Sequence, residues 1–316
     1  MDFQTALPTC EQLITQGSKS FSLAARVFPK ETRQAAFALY SWCRHCDDVI
    51  DESILGMKTT PSNPSDRGVK DKLLKDLVEK TKLAYTDYVF SDPIFFSFQY
   101  VVKKYHIPIE YPLDLLEGMK MDISHQEYKT ISDLEKYCYC VAGTVGLMMS
   151  HIMGLSDEKA LKNACDMGIA MQLTNIARDI REDFEMNRIY VPLDWLKKEN
   201  IPAEKLLDLE QRAKLVTIAK NLVNEAESFY ESGDNGLNSL SFQAACAVSS
   251  AREVYSQIGK QVVQKGPQAF QERTIVSLPV KIFVMLKGIF KIFSSLPKRI
   301  FHPWKRVSIN KMWRMT

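Results

Sequence analysis

The sequence LYSWCRHCDDVID, residues 39–51, contains two aspartates four positions apart, Asp47 and Asp51, within an apolar helical pattern. An α-helix completes one turn in about 3.6 residues, so residues four apart lie on the same face. Asp48 is the immediate neighbour of Asp47. The segment therefore predicts a helix with one acidic face.

A second segment, QLTNIARDIREDF at residues 172–184, has the same spacing. Asn175, Asp179 and Asp183 follow one another at intervals of four residues, and Gln172 precedes them by one turn. One acidic helix face is common on a solvated surface, but two of them beside apolar residues indicate a polar wall in a largely apolar cavity. We expect both segments to point their carboxylates into one space.

These oxygen-rich faces favour magnesium. Carboxylates held close together repel one another unless they are protonated or bound to a cation. Oxygen ligands with few histidine or thiolate neighbours suit Mg²⁺ better than zinc. Because Mg²⁺ commonly bridges a few carboxylates to substrate phosphates, the pattern predicts a diphosphate substrate.

Basic and hydroxyl side chains accompany the carboxylates. Tyr40 and Arg44 share the helix face of Asp47. Arg178 lies within the second segment, and Arg188 follows it closely. Arginine forms paired hydrogen bonds with phosphate oxygens, so we predict that these arginines bind the diphosphate.

The remainder of the chain indicates an all-α protein. Apolar residues recur at i, i+3 and i+4 spacing, while strand-like alternation is scarce. The 316 residues are 46% hydrophobic, which is enough for a large core. No repeat or change of composition marks a boundary, so residues 1–316 are predicted to form a single domain. Residues 52–70 contain Gly and Pro at intervals and are predicted to form a loop that acts as a lid.

Seven cysteines and no signal-peptide pattern indicate a reducing cytoplasm.

The C-terminal end is basic: residues 273–316 contain ten Lys or Arg and no Asp or Glu. Its longest charge-free apolar stretch is far shorter than the roughly 20 residues of a membrane-spanning helix. A basic, aromatic tail of about residues 297–316 predicts peripheral contact with the inner face of the cell membrane. A solvated disordered tail is the alternative, and nucleic acid is not an expected partner.

Six blocks resemble the squalene and phytoene synthase family of head-to-head prenyltransferases. In family order they are GSKSF (17–21), LYSWCRHCDDVID (39–51), EGMKMD (117–122), YCYCVAGTVGLMM (137–149), QLTNIARDIREDF (172–184) and RIYVP (188–192). Similarity is weaker at residues 251–258 and poor at the C-terminal end. The resemblance implies a single-domain helical bundle of the isoprenoid synthase type around a central cavity.

The resemblance also implies a role for individual residues. Asp47 and Asp51 would bind metal on one wall, and Asn175, Asp179 and Asp183 on the opposite wall, with Asp48 as a further candidate. The four aspartates Asp47, Asp51, Asp179 and Asp183 would be catalytic, together with Tyr137 as a proton relay. The implied substrate-binding residues are Ser18, Lys19, Ser20, Phe21, Tyr40, Arg44, Val141, Gly146, Gln172, Asn175, Arg178, Arg188 and Tyr255.

The implied activity is the head-to-head condensation of two prenyl diphosphates through a cyclopropyl diphosphate. Three Mg²⁺ or Mn²⁺ ions are the implied cofactors, and no nicotinamide cofactor is expected. Two C20 geranylgeranyl diphosphates would give phytoene, the first committed product of carotenoid biosynthesis. A hand-off of this product to a phytoene desaturase is the further implication.

Three alternatives remain open at this stage. The same chemistry on C15 farnesyl diphosphate would give dehydrosqualene or squalene, although the small residues Ala24, Ala25, Ala35 and Ala36 leave room for C20 chains. A class I terpene cyclase also uses aspartate-rich helices. A non-catalytic scaffold relative is the alternative from another class, but it is expected to have lost metal ligands.

Overall fold

A computed structural model of the chain describes residues 1–17, 22–23, 25–52 and 64–294, without the side chains of residues 51, 52 and 64–66. Within these ranges the chain is helical and contains no β-strand, which confirms the all-α prediction. The helices are α1 Phe3–Gly17, α2 Lys30–Glu52, α3 Pro64–Leu83, α4 Pro93–Lys104, α5 Glu110–Ile123, α6 Ile131–Cys138, α7 Thr144–Ile152, α8 Glu158–Glu185, α9 Leu193–Lys198, α10 Arg212–Gly236, α11 Phe242–Lys265 and α12 Leu278–Ser294. Nowhere in the described ranges is a helix long and apolar enough to span a membrane.

The predicted loop at residues 52–70 is shorter in the structure. Helix α3 begins at Pro64, so the last part of the predicted loop is helical. The prediction was wrong here because proline fits the first turn of a helix, where its missing N–H has no partner to lose. Residues 53–63 lie outside the described ranges, and the lid stays a prediction.

Two clusters of buried side chains form the core. The first joins α1, α2, α4 and α5, and includes Trp42 stacked on Phe98 with ring centroids 4.2 Å apart. The second joins α6, α8, α10 and α11, where the buried hydroxyls of Thr174 and Tyr230 are 3.0 Å apart. The acidic segment of α2 therefore packs in the first cluster and that of α8 in the second.

Helices α6 and α7 are joined by a π-helical turn, Tyr139–Gly143, in which the Thr144 N–H donates to the Tyr139 carbonyl. Such a turn inserts one extra residue and often marks a functional site. The glycines that follow allow α7 to meet α8 backbone to backbone. A Cβ atom on Gly146 would lie 2.2 Å from the Ala164 carbonyl oxygen.

Replacing Gly146 with alanine is therefore expected to force α7 and α8 apart. We expect the free energy of unfolding in urea to fall by about 2 kcal/mol, as for other overpacked core sites. Gly68→Ala is the matched control, because Gly68 lies within α3 and a Cβ atom added to it would have no neighbouring atom within 4 Å. The control is expected to be neutral or stabilising by roughly 0.5–1 kcal/mol, and equal losses in both variants would contradict the close contact.

Candidate active site

An apolar cavity of about 300 Å³ is lined by residues of both core clusters. Its walls include Leu39 and Met149 from the first cluster and Met167 from the second. Ala25 and Ala36, two of the predicted small residues, also line it. Ala35 is buried outside the lining, and Ala24 lies outside the described residues.

A polar pocket of about 260 Å³ adjoins this cavity. The two spaces share four lining residues, which are Cys43, Val141, Gln172 and Asn175. The ionisable and hydroxyl groups that line the polar pocket are Asp47, Asp122, Tyr137, Asp179, Asp183, Arg188 and Tyr190. The structure thus brings both acidic segments to one pocket, as the sequence predicts, and places it beside an apolar space.

Asp179 lies at a break in α8, where its own backbone leaves the helical region (φ −102°, ψ 15°). Its carboxylate accepts hydrogen bonds from Arg178 Nε at 2.7 Å and from Arg273 Nε and Nη2, both at 2.9 Å. Burial alone would raise the pKa of Asp179, but the two guanidinium groups outweigh it and lower the pKa. Asp179 is therefore held as an anion between two arginines.

Asp183 lies one turn along α8, and positive charge offsets its burial less fully than it does for Asp179. Burial, reinforced by the nearby charges of Asp179 and Asp122, raises the pKa of Asp183 to about 8, although Arg188 opposes the rise. Both burial and the neighbouring carboxylates oppose the anion of Asp183, and a bound cation would favour it. The pocket is therefore suited to a cation.

Asp122, at the end of α5, binds two tyrosine hydroxyls. The Tyr190 hydroxyl donates to Asp122 Oδ1 at 2.6 Å. The Tyr137 hydroxyl lies 3.0 Å from Asp122 Oδ2 and 3.1 Å from the Tyr190 hydroxyl. Burial raises the pKa of both tyrosines, so both hydroxyls stay neutral and keep the protons that they donate to Asp122.

The predicted substrate-binding residues divide between the two spaces. Those that line the apolar cavity are Tyr40, Val141, Gly146, Gln172, Asn175 and Tyr255. Tyr137 and Arg188 line the polar pocket. Burial raises the pKa of the Tyr40 hydroxyl to about 12 and also raises that of Tyr255, so both side chains offer neutral hydroxyls within a mostly apolar wall.

Three predicted residues are placed differently. Arg44 Nη2 is 2.7 Å from Asp48 Oδ1, and neither residue lines the two spaces. The cause is their spacing, because opposite charges four residues apart on a helix attract each other. Arg178 binds Asp179 rather than pointing free into the pocket.

Some predicted residues lie outside the described part of the chain, and their roles stay predictions. They are Ser18, Lys19, Ser20, Phe21 and the side chain of Asp51.

Sequence reasoning missed three residues of the site. Asp122 and Tyr190 belong to the quoted blocks EGMKMD and RIYVP, so a signal was present although no role was assigned to them. Arg273 reaches Asp179 across 94 positions of the chain, and no local spacing could have found it.

The ligand chemistry of the pocket fits Mg²⁺. Its carboxylates and the Asn175 amide are the oxygen ligands that Mg²⁺ prefers. Among the described side chains, no group of three acidic, histidine or cysteine residues is placed to hold a metal ion. In proteins Mg²⁺ usually keeps several waters and takes one or two carboxylates, with substrate phosphates completing its shell.

Comparisons with known proteins agree with the geometry. The squalene/phytoene synthase family model matches residues 14–280. The 15-cis-phytoene synthase of Pantoea ananas is 41% identical over 294 residues, covering 92% of this chain and 94% of that protein. The 15-cis-phytoene synthase of Enterobacter agglomerans is 43% identical over 271 residues, covering 85% and 90%.

A solved structure extends the agreement to the fold. The crystal structure of a dehydrosqualene synthase in complex with ligand has a TM-score of 0.82 and 28% sequence identity, and the match covers 92% of this chain and 98% of that one. The resemblance inferred from the six sequence blocks is thereby confirmed. The chain belongs to the squalene/phytoene synthase family.

Proposed function

We propose that this chain condenses two molecules of C20 geranylgeranyl diphosphate, head to head, to form phytoene. The observation that carries the proposal is the junction of the acidic pocket with the apolar cavity, because a prenyl diphosphate has one charged end and one long apolar end. The two relatives at 41% and 43% identity are named 15-cis-phytoene synthase, which supports the C20 substrate.

Asp47, Asp51, Asn175, Asp179 and Asp183 are the residues that would hold Mg²⁺ or Mn²⁺. The bound ions would supply positive charge that neutralises the leaving diphosphate and eases cleavage of the allylic C–O bond. Arg188 lines the same pocket and would bind phosphate oxygens directly. Arg178 and Arg273 keep Asp179 ionised.

The shared residues Val141, Gln172 and Asn175 stand where the charged and apolar parts of a substrate would meet. The diphosphate would lie on the acidic side and the prenyl chain on the other. An apolar wall excludes water, which would otherwise trap the allylic cation as an alcohol. The double bond of the second substrate would then attack the cation, and loss of a proton from that substrate to the released diphosphate would close the cyclopropane ring.

The second half of the reaction opens that ring after a further C–O cleavage and ends with loss of a proton. Tyr137 and Tyr190 are neutral donors anchored on Asp122. With those protons committed to Asp122, the two hydroxyl oxygens would face the pocket as hydrogen-bond acceptors, placed to receive a hydrogen bond from the released diphosphate once it has taken the proton. Asp122 fixes both hydroxyls and acts as a positioning residue.

The rival substrate is C15 farnesyl diphosphate. A dehydrosqualene synthase shares the fold at 28% identity, which supports this alternative but ranks it below the C20 substrate. The scaffold alternative requires loss of metal ligands, whereas Asp47, Asn175, Asp179 and Asp183 all line the described pocket.

The cellular setting is part of the proposal. The substrate chains and the hydrocarbon product dissolve in lipid, and the C-terminal sequence is basic. We place the enzyme in the cytoplasm, peripheral on the inner face of the cell membrane, where a phytoene desaturase would receive the product.

The decisive experiment supplies purified full-length protein with Mg²⁺, detergent and either C15 or C20 diphosphate. Products are identified by mass and ultraviolet absorption. A C40 hydrocarbon with a conjugated triene from the C20 substrate is the expected result. A C30 hydrocarbon from C15 alone would shift the assignment to dehydrosqualene or squalene synthesis, and the absence of any hydrocarbon would overturn the proposal.

A further inference from the structure

Helix α12, Leu278–Ser294, exposes large apolar side chains along one face. We call this the outer face of α12, and its members are Leu278, Ile282, Phe283, Leu286, Phe290 and Phe293. Phe283 is 69% exposed, Leu286 59% and Phe290 73%. Single exposed apolar residues are normal, but a continuous stripe of this kind marks a surface that binds something.

The opposite face of α12 is firmly attached to the protein. Val284, Met285, Gly288 and Ile292 are buried. The Ser249 hydroxyl donates to the Gly288 carbonyl at 3.0 Å, and the Ser250 hydroxyl donates to the Met285 carbonyl at 3.2 Å. The helix is thus held in place by its inner face, to which the outer face adds the contact of Phe293 with Phe242, whose ring centroids are 4.9 Å apart.

The charged side chains of α12 itself are all positive. Helix α12 contains three lysines and no acidic residue. Lys287 and Lys291 lie at its edge and pair with Glu253 and Asp234 of neighbouring helices. The sequence that continues beyond α12, residues 295–316, adds six Lys or Arg and again no acidic residue. An apolar stripe bordered and followed by basic residues matches an anionic lipid surface.

Helix α12 packs on a helix that lines the apolar cavity. Ala247, Val248 and Ala251 of α11 line that cavity, while Ser249 and Ser250, on the same turns of α11, bind α12. Helix α11 therefore lies between α12 and the place where, on the proposed function, the hydrocarbon product forms. A membrane docked on α12 would lie on the same side of the protein as this wall of the cavity.

We propose that the outer face of α12 is the membrane-docking surface of this protein, with anionic phospholipid as the partner. The helix lies along the lipid interface with its aromatic side chains between the headgroups, and the basic sequence after it contributes long-range attraction. This inference rests on the proposed function for its purpose, but its contact residues are independent of the reaction chemistry.

The test compares two double variants of the full-length chain. Phe283→Ser with Phe290→Ser removes the aromatic centre of the outer face. Val89→Ser with Leu209→Ser is the matched control, because these apolar residues are 81% and 77% exposed but lie elsewhere. Each protein is sedimented with vesicles of phosphatidylglycerol and phosphatidylethanolamine, and with phosphatidylcholine vesicles, and turnover is measured separately in detergent.

We expect the Phe283/Phe290 variant to lose at least three-quarters of its binding to the anionic vesicles while its turnover in detergent stays within twofold of wild type. The control should bind as wild type, and wild type should bind phosphatidylcholine only weakly. Retained binding by the Phe283/Phe290 variant would overturn the proposal. If binding persists in that variant but disappears on truncation after residue 296, the tail is the contact instead.

Size-exclusion chromatography tests whether a second copy of this chain, rather than lipid, covers the outer face. A wild-type dimer that becomes monomeric in the Phe283/Phe290 variant, with no vesicle binding by either protein, would show that a second copy covers this face and would overturn the lipid assignment. Wild type that docks to vesicles but produces no hydrocarbon from any prenyl diphosphate would instead contradict the proposed function and leave the docking surface standing.

Discussion

Replacing Asp183 with asparagine is expected to abolish product formation and, at the same time, to stabilise the metal-free protein at alkaline pH. Asparagine keeps the size of the side chain but removes the negative charge that a divalent ion needs. We expect turnover to fall by about 10³-fold or more, because the departing diphosphate would lose part of its neutralisation. A variant with near-normal turnover would contradict the assignment of Asp183 as a metal ligand.

The gain in stability follows from the direction of the pKa shift. The pKa of Asp183 is raised from an ordinary value near 4 to about 8 by burial and the neighbouring charge of Asp179. The folded protein therefore binds one more proton than the unfolded chain between these values, and wild-type stability falls as pH rises through that window. Each pKa unit corresponds to about 1.4 kcal/mol, so the free energy of unfolding of the metal-free wild type is expected to be lower at pH 8 than below pH 4 by on the order of 5 kcal/mol from this group.

Thermal unfolding in EDTA at pH 5 and pH 8.5 measures this effect. The difference in melting temperature between Asp183→Asn and wild type should be larger at pH 8.5. Mg²⁺ should then stabilise wild type more at the higher pH, since the ion competes with the proton, and should have little effect on the variant. Asp194→Asn is the control, because Asp194 is exposed on α9 and should respond to neither pH nor Mg²⁺ in this way.

The acidic segments could be predicted from the sequence because the spacing of residues within one helix determines which side chains share a face. Asn175, Asp179 and Asp183 lie one helical turn apart, and any helix in this segment aligns them. Asp47 required only that its own helix form, and the structure brings it to the same pocket. Helical periodicity also sufficed for the all-α class.

Ion pairing within and between helices was not predictable in the same way. Arg44 stands three positions before Asp47 and four before Asp48, and both partners are within reach on a helix. The structure selects Asp48. Arg273 comes from the chain just before α12 and meets Asp179 only through tertiary packing, so its contribution required the fold.

The break in α8 at Asp179 is a further feature that periodicity hides. A regular helix was the natural prediction for residues 172–184, and the departure is confined to one residue. Two arginines bind the carboxylate at that point. Local backbone departures of this kind cluster at functional sites, where the surrounding contacts hold them in place.

Replacing Asp122 with asparagine is the second change expected to have a large effect, and the chain supplies its own control. Asp114 lies on the same helix α5 and accepts a hydrogen bond from the Tyr139 hydroxyl at 2.7 Å, just as Asp122 accepts from Tyr190 and Tyr137. Both aspartates are half-buried. Only Asp122 lines the polar pocket.

Asp122→Asn and Asp114→Asn should therefore cost similar stability, about 1–2 kcal/mol in urea unfolding, because each weakens hydrogen bonds to buried or half-buried tyrosines. Their effects on turnover should differ. An asparagine at position 122 cannot accept from two hydroxyls as a carboxylate does, so Tyr137 and Tyr190 lose their fixed orientation. We expect kcat to fall by about 10²-fold with little change in KM, whereas Asp114→Asn should stay within threefold of wild type.

Coupling between the residues separates a positioning role from a general loss of structure. If Asp122 acts through Tyr137, the double variant Asp122→Asn with Tyr137→Phe should be hardly slower than the slower single variant, since groups that act as a unit are strongly non-additive. Independent effects would instead multiply. Equal losses of turnover in the Asp114 and Asp122 variants would mean that α5 contributes only stability, and the proton chemistry would then have to rest on the released diphosphate without the tyrosine pair.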